Sequence, residues 1–244
     1  MTPIGLSNLC SERRIIVKHT AMADLCNILS FLLQVPTIES ASAICTESMS
    51  HDFRAITSEL GIDHDVSSIE RGLDDVHNRL SGTDDALNLL RREYTRLFNH
   101  PKHPLIQLYE GVFIDSELVS QGKESAHACL FINPAAVDAE RYYARVGFVC
   151  SSGMRVPPDC ITTQLQFLGI LHSLIAVRAQ SGEEESCRQV CSLLCEFWDD
   201  HPSNWFDSFF NKCSLLSNEP LYRLVGNMGH ELVSLEIRCV ETLL

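Results

Sequence analysis

The sequence predicts an all-α chain, a single-domain bundle of about ten helices. Three observations lead there. Apolar residues recur at three- and four-residue steps almost throughout the 244 residues. No run of strict alternation is long enough for a half-buried strand. A composition of 45 % hydrophobic residues with 12 Gly and 9 Pro supplies a core with few interruptions, which excludes a disordered or collagenous chain.

The first helix is expected from about residue 13, striped by Leu25, Ile28, Leu29, Leu32 and Leu33, and must stop before Pro36, because the residue preceding a proline disfavours the helical region. A second runs from about Ile38 to Leu60, with Gly61 as its stop. A short helix from about Ser67 to Leu80 follows. Thr83-Asp84-Asp85 then offers a cap and dipole-favourable acids to a helix holding Leu87, Leu90, Tyr94, Leu97 and Phe98, ended by Pro101 and Pro104. Residues 99 to 133 read as irregular. Asn133-Pro134 is an N-cap with proline at the first helical position, opening a helix through Arg145 that ends at Gly147. A loop over 151 to 158 closes on Pro157-Pro158. Asp159 is expected to cap the most hydrophobic helix, Ile161 to Ala179, which belongs at the centre of the bundle. Ser181-Gly182 breaks it, Glu183-Glu184-Glu185 starts the next, and Pro202 and Asn218-Glu219-Pro220 open the last two.

Charge narrows the function classes. With 19 basic against 32 acidic residues the net charge is −13, and only four lysines are present, so a phosphate-tracking nucleic-acid surface is excluded and cationic partners fit better. The longest mostly apolar stretch is read as Leu165 to Val177, too short and too polar to span a bilayer, so no membrane insertion is expected. Arg13-Arg14 has the outline of a twin-arginine export signal, but Glu12 interrupts the motif and His19, Asp24 and Asn27 break the apolar region behind it. Eleven cysteines, an odd number, read as reduced and mostly buried thiols.

No catalytic or metal chemistry is selected. Cys187, Cys191 and Cys195 lie at i, i+4 and i+8 on one helix, so the outer two stand about 12 Å apart along the axis and one ion cannot take all three. His100 and His103 flank a proline-ended loop as solvated turn residues. No nucleophile elbow is present, and Gly122-Lys123-Glu124-Ser125 lacks the glycine and Lys-Ser adjacency of a phosphate loop, so no cofactor is expected. Trp205, Phe209 and Phe210 read as core, since aromatics at helical spacing pack inward. From the residues alone the chain is an acidic helical binding or scaffolding protein.

Three ordered segments sharpen this. The first is Arg92-Glu93-Tyr94-Thr95-Arg96-Leu97-Phe98 with Pro101, Pro104 and Leu108-Tyr109-Glu110-Gly111-Val112-Phe113. The second is Tyr142-Tyr143-Ala144-Arg145-Val146-Gly147-Phe148, then Pro157-Pro158-Asp159-Cys160 and Gln164-Leu165-Gln166-Phe167-Leu168. The third is Phe197-Trp198, His201, Trp205-Phe206 and Phe209-Phe210. In order and spacing, over roughly residues 83 to 216, the chain resembles the TorD/DmsD family of cytoplasmic chaperones for molybdenum-containing redox enzymes. Two departures stand out. Cys160 occupies a place usually held by histidine, and Tyr109 one often held by tryptophan.

The resemblance implies a non-enzymatic, cytoplasmic chaperone. Its partner would be the twin-arginine signal peptide, and the precursor, of a molybdopterin-containing oxidoreductase, whose maturation and proofreading it assists. The alternatives are an assembly scaffold for the folded subunit, or a metal- or nucleotide-dependent enzyme. Monomer and domain-swapped homodimer both remain open. The implied peptide site lies between the Tyr94 to Tyr109 segment and the loop before the central helix, with Tyr94, Leu97, Phe98, Pro101, Tyr109, Pro158, Asp159, Cys160 and Gln164 as candidate contacts. Asp159 is placed either as a cap or as the partner of an incoming arginine.

Overall fold

The computed structural model describes residues 4–62, 66–81, 85–102, 104–123, 133–149 and 156–243. Among these it is all-α, with eleven α-helices and one 3-10 turn. The chain runs through α1 (Ile4–Leu32), α2 (Ile38–Ile44), α3 (Glu47–Leu60), α4 (Val66–Leu80), α5 (Ala86–Phe98) and α6 (Glu110–Ser120). It continues through α7 (Pro134–Ala144), α8 (Ile161–Gln180), α9 (Glu184–Asp200), the 3-10 turn Pro202–Asn204, α10 (Phe206–Leu216) and α11 (Pro220–Leu243).

Helix α8 is the central element, as its sequence implies. Twelve of its twenty residues are buried, and it packs along α1 and against α9. Gly169 permits the close approach to α1: a Cβ there would stand 3.1 Å from Asn27 Oδ1 and 3.3 Å from the Ala23 carbonyl. A second tight seam joins α10 and α11, where a Cβ on Gly229 would fall inside the Phe210 ring. Leu25, Leu29, Leu165, Leu168, Leu171, Phe209, Phe210 and Met228 are fully buried in one continuous core.

Helix ends with local chemistry fall where the sequence puts them. Asn133 Oδ1 accepts from Ala135 N at 3.0 Å with Pro134 in the first turn. Gly61, Gly147 and Gly182 all turn left-handed after their helices, at φ between 63 and 69°, a conformation costly for any residue with a Cβ.

Four expectations are corrected. Helix α1 begins at Ile4 rather than near residue 13, since nothing in 4–12 breaks a helix beyond a single glycine. The Ile38–Leu60 helix is two helices, because Thr46 turns extended (ψ 150°) before α3. Residues 110–120, read as irregular, form α6. Cys160, not Asp159, is the N-cap residue of α8, and no side chain caps it. Asp85 precedes α5 without a side-chain cap bond, while Thr83 and Asp84, like residues 151–155 and His103, lie outside the described residues.

Among the described residues one segment, Glu12–Leu32, is long and apolar enough to cross a membrane by length and composition, displacing Leu165 to Val177 as the longest mostly apolar stretch. Half of it is buried inside the fold. Its apolar face is the α1 contribution to the core, through Met22, Leu25, Cys26 and Leu29.

Candidate functional site

The two proline-bearing motif loops, bent before α6 and turned at Pro157–Cys160 before α8, meet as a short antiparallel clamp. Tyr109 pairs with Cys160. Glu110 N donates to the Asp159 carbonyl at 2.9 Å, and Ile161 N donates to the Leu108 carbonyl at 2.9 Å. Tyr143 of α7 closes the back of the clamp, its hydroxyl donating to the Pro158 carbonyl at 2.6 Å. The loop before α6 and the loop before α8 are thereby locked to each other.

Asp159 sits in the middle and is 1 % exposed. Its carboxylate accepts from Gly111 N at 3.4 Å and from Asn133 Nδ2, so it satisfies the first turn of α6 and ties in the start of α7. It neither caps its own helix nor faces outward. Burial pushes its pKa up and the Glu110 charge adds to this, against the hydrogen bond from Gly111 and the nearby His201.

A polar network lies directly behind. Gln164 donates from Nε2 to Glu110 Oε2 at 2.5 Å, and its Oε1 accepts from the Trp205 indole at 3.1 Å. His201 Nδ1 reaches the same Glu110 oxygen at 3.0 Å, and His201 Nε2 stands 3.5 Å from Asp138. Burial pulls the imidazole toward the neutral form, yet the hydrogen bond to Glu110 and the charges of Glu110, Asp138 and Asp200 outweigh it, and the His201 pKa is raised. Helices α6, α7, α8 and α9 meet at this buried ion pair.

The structure sorts the nine candidate contacts. Tyr94, Leu97, Phe98, Cys160 and Gln164 are buried with Asp159; Tyr109 and Pro158 are half-buried; Pro101 is exposed. Burial, then the neighbouring Cys160 and Tyr109, raise the Tyr94 pKa, and burial, then Cys160 and Asp159, raise that of Tyr109, whereas Phe98 turns into the core against Phe209 and Tyr222. The Cys160 thiol lies 3.3 Å from Thr162 Oγ1, and burial is the largest of the influences that raise its pKa. Trp205, Phe209 and Phe210 are core, as read. Glu110, Asn133, Asp138 and His201 were not singled out as site residues. Glu110 and His201 stand 91 positions apart, and only the presence of Glu110 and His201 inside the motif segments hinted at them.

A second buried network crosses the middle of α8. His172 Nε2 lies 2.5 Å from Glu236 Oε1, and His172 Nδ1 lies 2.8 Å from His19 Nδ1. With Glu236 Oε1 as the acceptor of the His172 Nε2 proton, His172 Nδ1 is left to accept from His19. Burial, then the neighbouring His172 and Lys18, lower the His19 pKa to about 3, so this ring stays neutral. Among the described residues no three His, Cys, Asp or Glu side chains converge as metal ligands, the thiol ladder of α9 included.

The nitrate reductase delta subunit family matches residues 61–211, well over half of the chain and all of the clamp. The chain belongs to this family of maturation chaperones for redox enzymes, of the TorD/DmsD type. No curated protein matches the chain.

Proposed function

We propose that this chain is a cytoplasmic, non-catalytic chaperone. It binds the twin-arginine leader of a molybdopterin-containing oxidoreductase subunit and holds the precursor until its cofactor is in place. The observation that carries the reading is the family match over residues 61–211, which spans both motif loops of the clamp. The acidic balance of the chain, −13, complements a leader that presents two guanidiniums followed by an apolar stretch.

The nine motif residues divide in this proposal. Pro101, Tyr109 and Pro158 offer surface to the client, with exposed Leu105 and Val112 beside them. Tyr94, Leu97, Phe98, Asp159, Cys160 and Gln164 form the frame that fixes this rim. Covering about 600 Å² of apolar surface at about 25 cal/mol per Å² supplies roughly 15 kcal/mol before the cost of ordering a flexible peptide. Micromolar, releasable binding follows, as a proofreading step requires.

Calorimetric titration with a synthetic twin-arginine peptide and with its two-lysine variant tests the reading. The arginine peptide is expected to bind in the micromolar range, and the lysine peptide several-fold more weakly, because lysine lacks the bidentate fork. No heat with either peptide, together with capture of the leaderless folded subunit, overturns leader binding in favour of a scaffold.

A further inference from the structure

A cleft of about 1010 Å³ opens between α1, α8 and α9, lined along α9 from Glu184 to Asp199 and reaching the C-terminal half of α8 at Ile175, Arg178 and Ala179. Its volume is at the top of the range for small-molecule pockets, about 300 to 1,000 Å³, and suits a stretch of peptide. The floor is Ile15 and Ile175 with the thiols of Cys187, Cys191 and Cys195. Burial, then the neighbouring Cys187, push Cys191 up to about 12, so the ladder is a neutral, soft apolar surface.

The mouth is acidic. Among the described residues, five carboxylates line the cleft against two guanidiniums. Both guanidiniums are engaged, Arg178 with Glu183 at 2.6 Å and Arg188 with Glu185 at 2.8 Å. Glu12 and Asp199 meet no cation among the described residues. The field reaches the floor: burial and then Asp199, Glu236 and Glu196 raise the Cys195 thiol. A second copy of a chain carrying −13 is repelled by this mouth, and so is an anionic ligand.

We infer that this cleft holds the arginine-bearing, apolar part of the leader, with guanidiniums at Glu12 and Asp199 and apolar side chains over the thiol floor. The inference rests on the leader-binding reading above and moves arginine recognition away from Asp159, whose carboxylate is enclosed. The rim at the clamp is left for other parts of the client.

The test uses the full chain, a synthetic twin-arginine peptide and iodoacetamide, with alkylation read at each cysteine by mass spectrometry. Alkylation of half-buried Cys187 is expected to slow in proportion to the fraction of chain bound. Cys45, half-buried but outside the cleft, serves as the internal standard. The double substitution Glu12→Gln with Asp199→Asn is expected to weaken the peptide roughly 3- to 30-fold at low salt, as two exposed charge contacts, with the melting temperature unchanged. Peptide binding without protection of Cys187, or at full affinity to the double variant, removes the cleft while leaving leader binding intact. Peptide-free dimerisation that the double variant abolishes assigns the cleft to a second copy and overturns the inference. No binding to the unsubstituted chain removes the leader reading itself, and the cleft with it.

Discussion

The two buried histidine networks use the same side chains to opposite ends. At the clamp, His201 faces Glu110, Asp138 and Asp200, and the three carboxylates hold its proton in place. In the middle of α8, burial, and then His172 and Lys18, expel the proton of His19. Burial works against the proton on both rings, and only at His201 do acidic neighbours overcome it. The clamp network is an ion pair that ties four helices at a point where loops arrive. The α8 network is a hydrogen-bond chain of His19, His172 and Glu236 joining α1, α8 and α11, spanning helices already packed by their apolar faces.

Breaking the clamp is expected to have the largest effect. Glu110→Ala leaves Gln164 Nε2 and His201 Nδ1 without their buried acceptor, and should cost about 3 to 5 kcal/mol in denaturant unfolding, as expected for removing one partner of a buried pair. Glu236→Gln, in contrast, keeps an oxygen acceptor for His172. A loss of about 1 kcal/mol is expected there. Equal losses would show that the two networks are energetically alike.

The pH dependence sharpens the contrast. His201 has a raised pKa in the fold, so its stabilisation is complete below the unfolded value near 6.5 and is lost as pH rises through the folded pKa. His19 is depressed to about 3, so the unfolded chain binds the proton first and stability is lost as pH falls below 6.5 toward 3. Melting temperatures across pH 4 to 9 should show His201→Gln flattening the alkaline arm and His19→Gln the acid arm. An exchange of these two effects would reverse the assigned protonation states.

How much of this is legible in the sequence follows the range of the interactions. Helix ends made by neighbours, such as Asn133 with Ala135, or by a glycine's backbone at 147 and 182, were read correctly, as was the central place of Ile161 to Ala179. Helix α6 was missed because its first turn is completed by the Asp159 side chain from 48 positions away rather than by a local cap. Asp159 looked like a cap because aspartate two residues before an apolar run commonly is one. Its turn toward α6 exists only because the clamp brings Gly111 to it. The two proline-ended loops were expected to meet, and they do. The networks behind them pair residues 91 and 153 positions apart, and no periodicity encodes that.

The central claim is that the motif residues frame the rim while leader arginines are recognised at the cleft. Side-by-side calorimetry and thermal unfolding of Asp159→Asn and of the Glu12→Gln, Asp199→Asn double variant test it most directly. Asp159→Asn disturbs the acceptor for Gly111 and Asn133, so the expected result is a stability loss of about 1 to 2 kcal/mol with leader affinity unchanged. The double variant should show the reverse, a several-fold loss of affinity at unchanged stability. Loss of affinity in Asp159→Asn at full stability, with the double variant binding as well as the unsubstituted chain, would contradict the account and return the arginine site to the clamp.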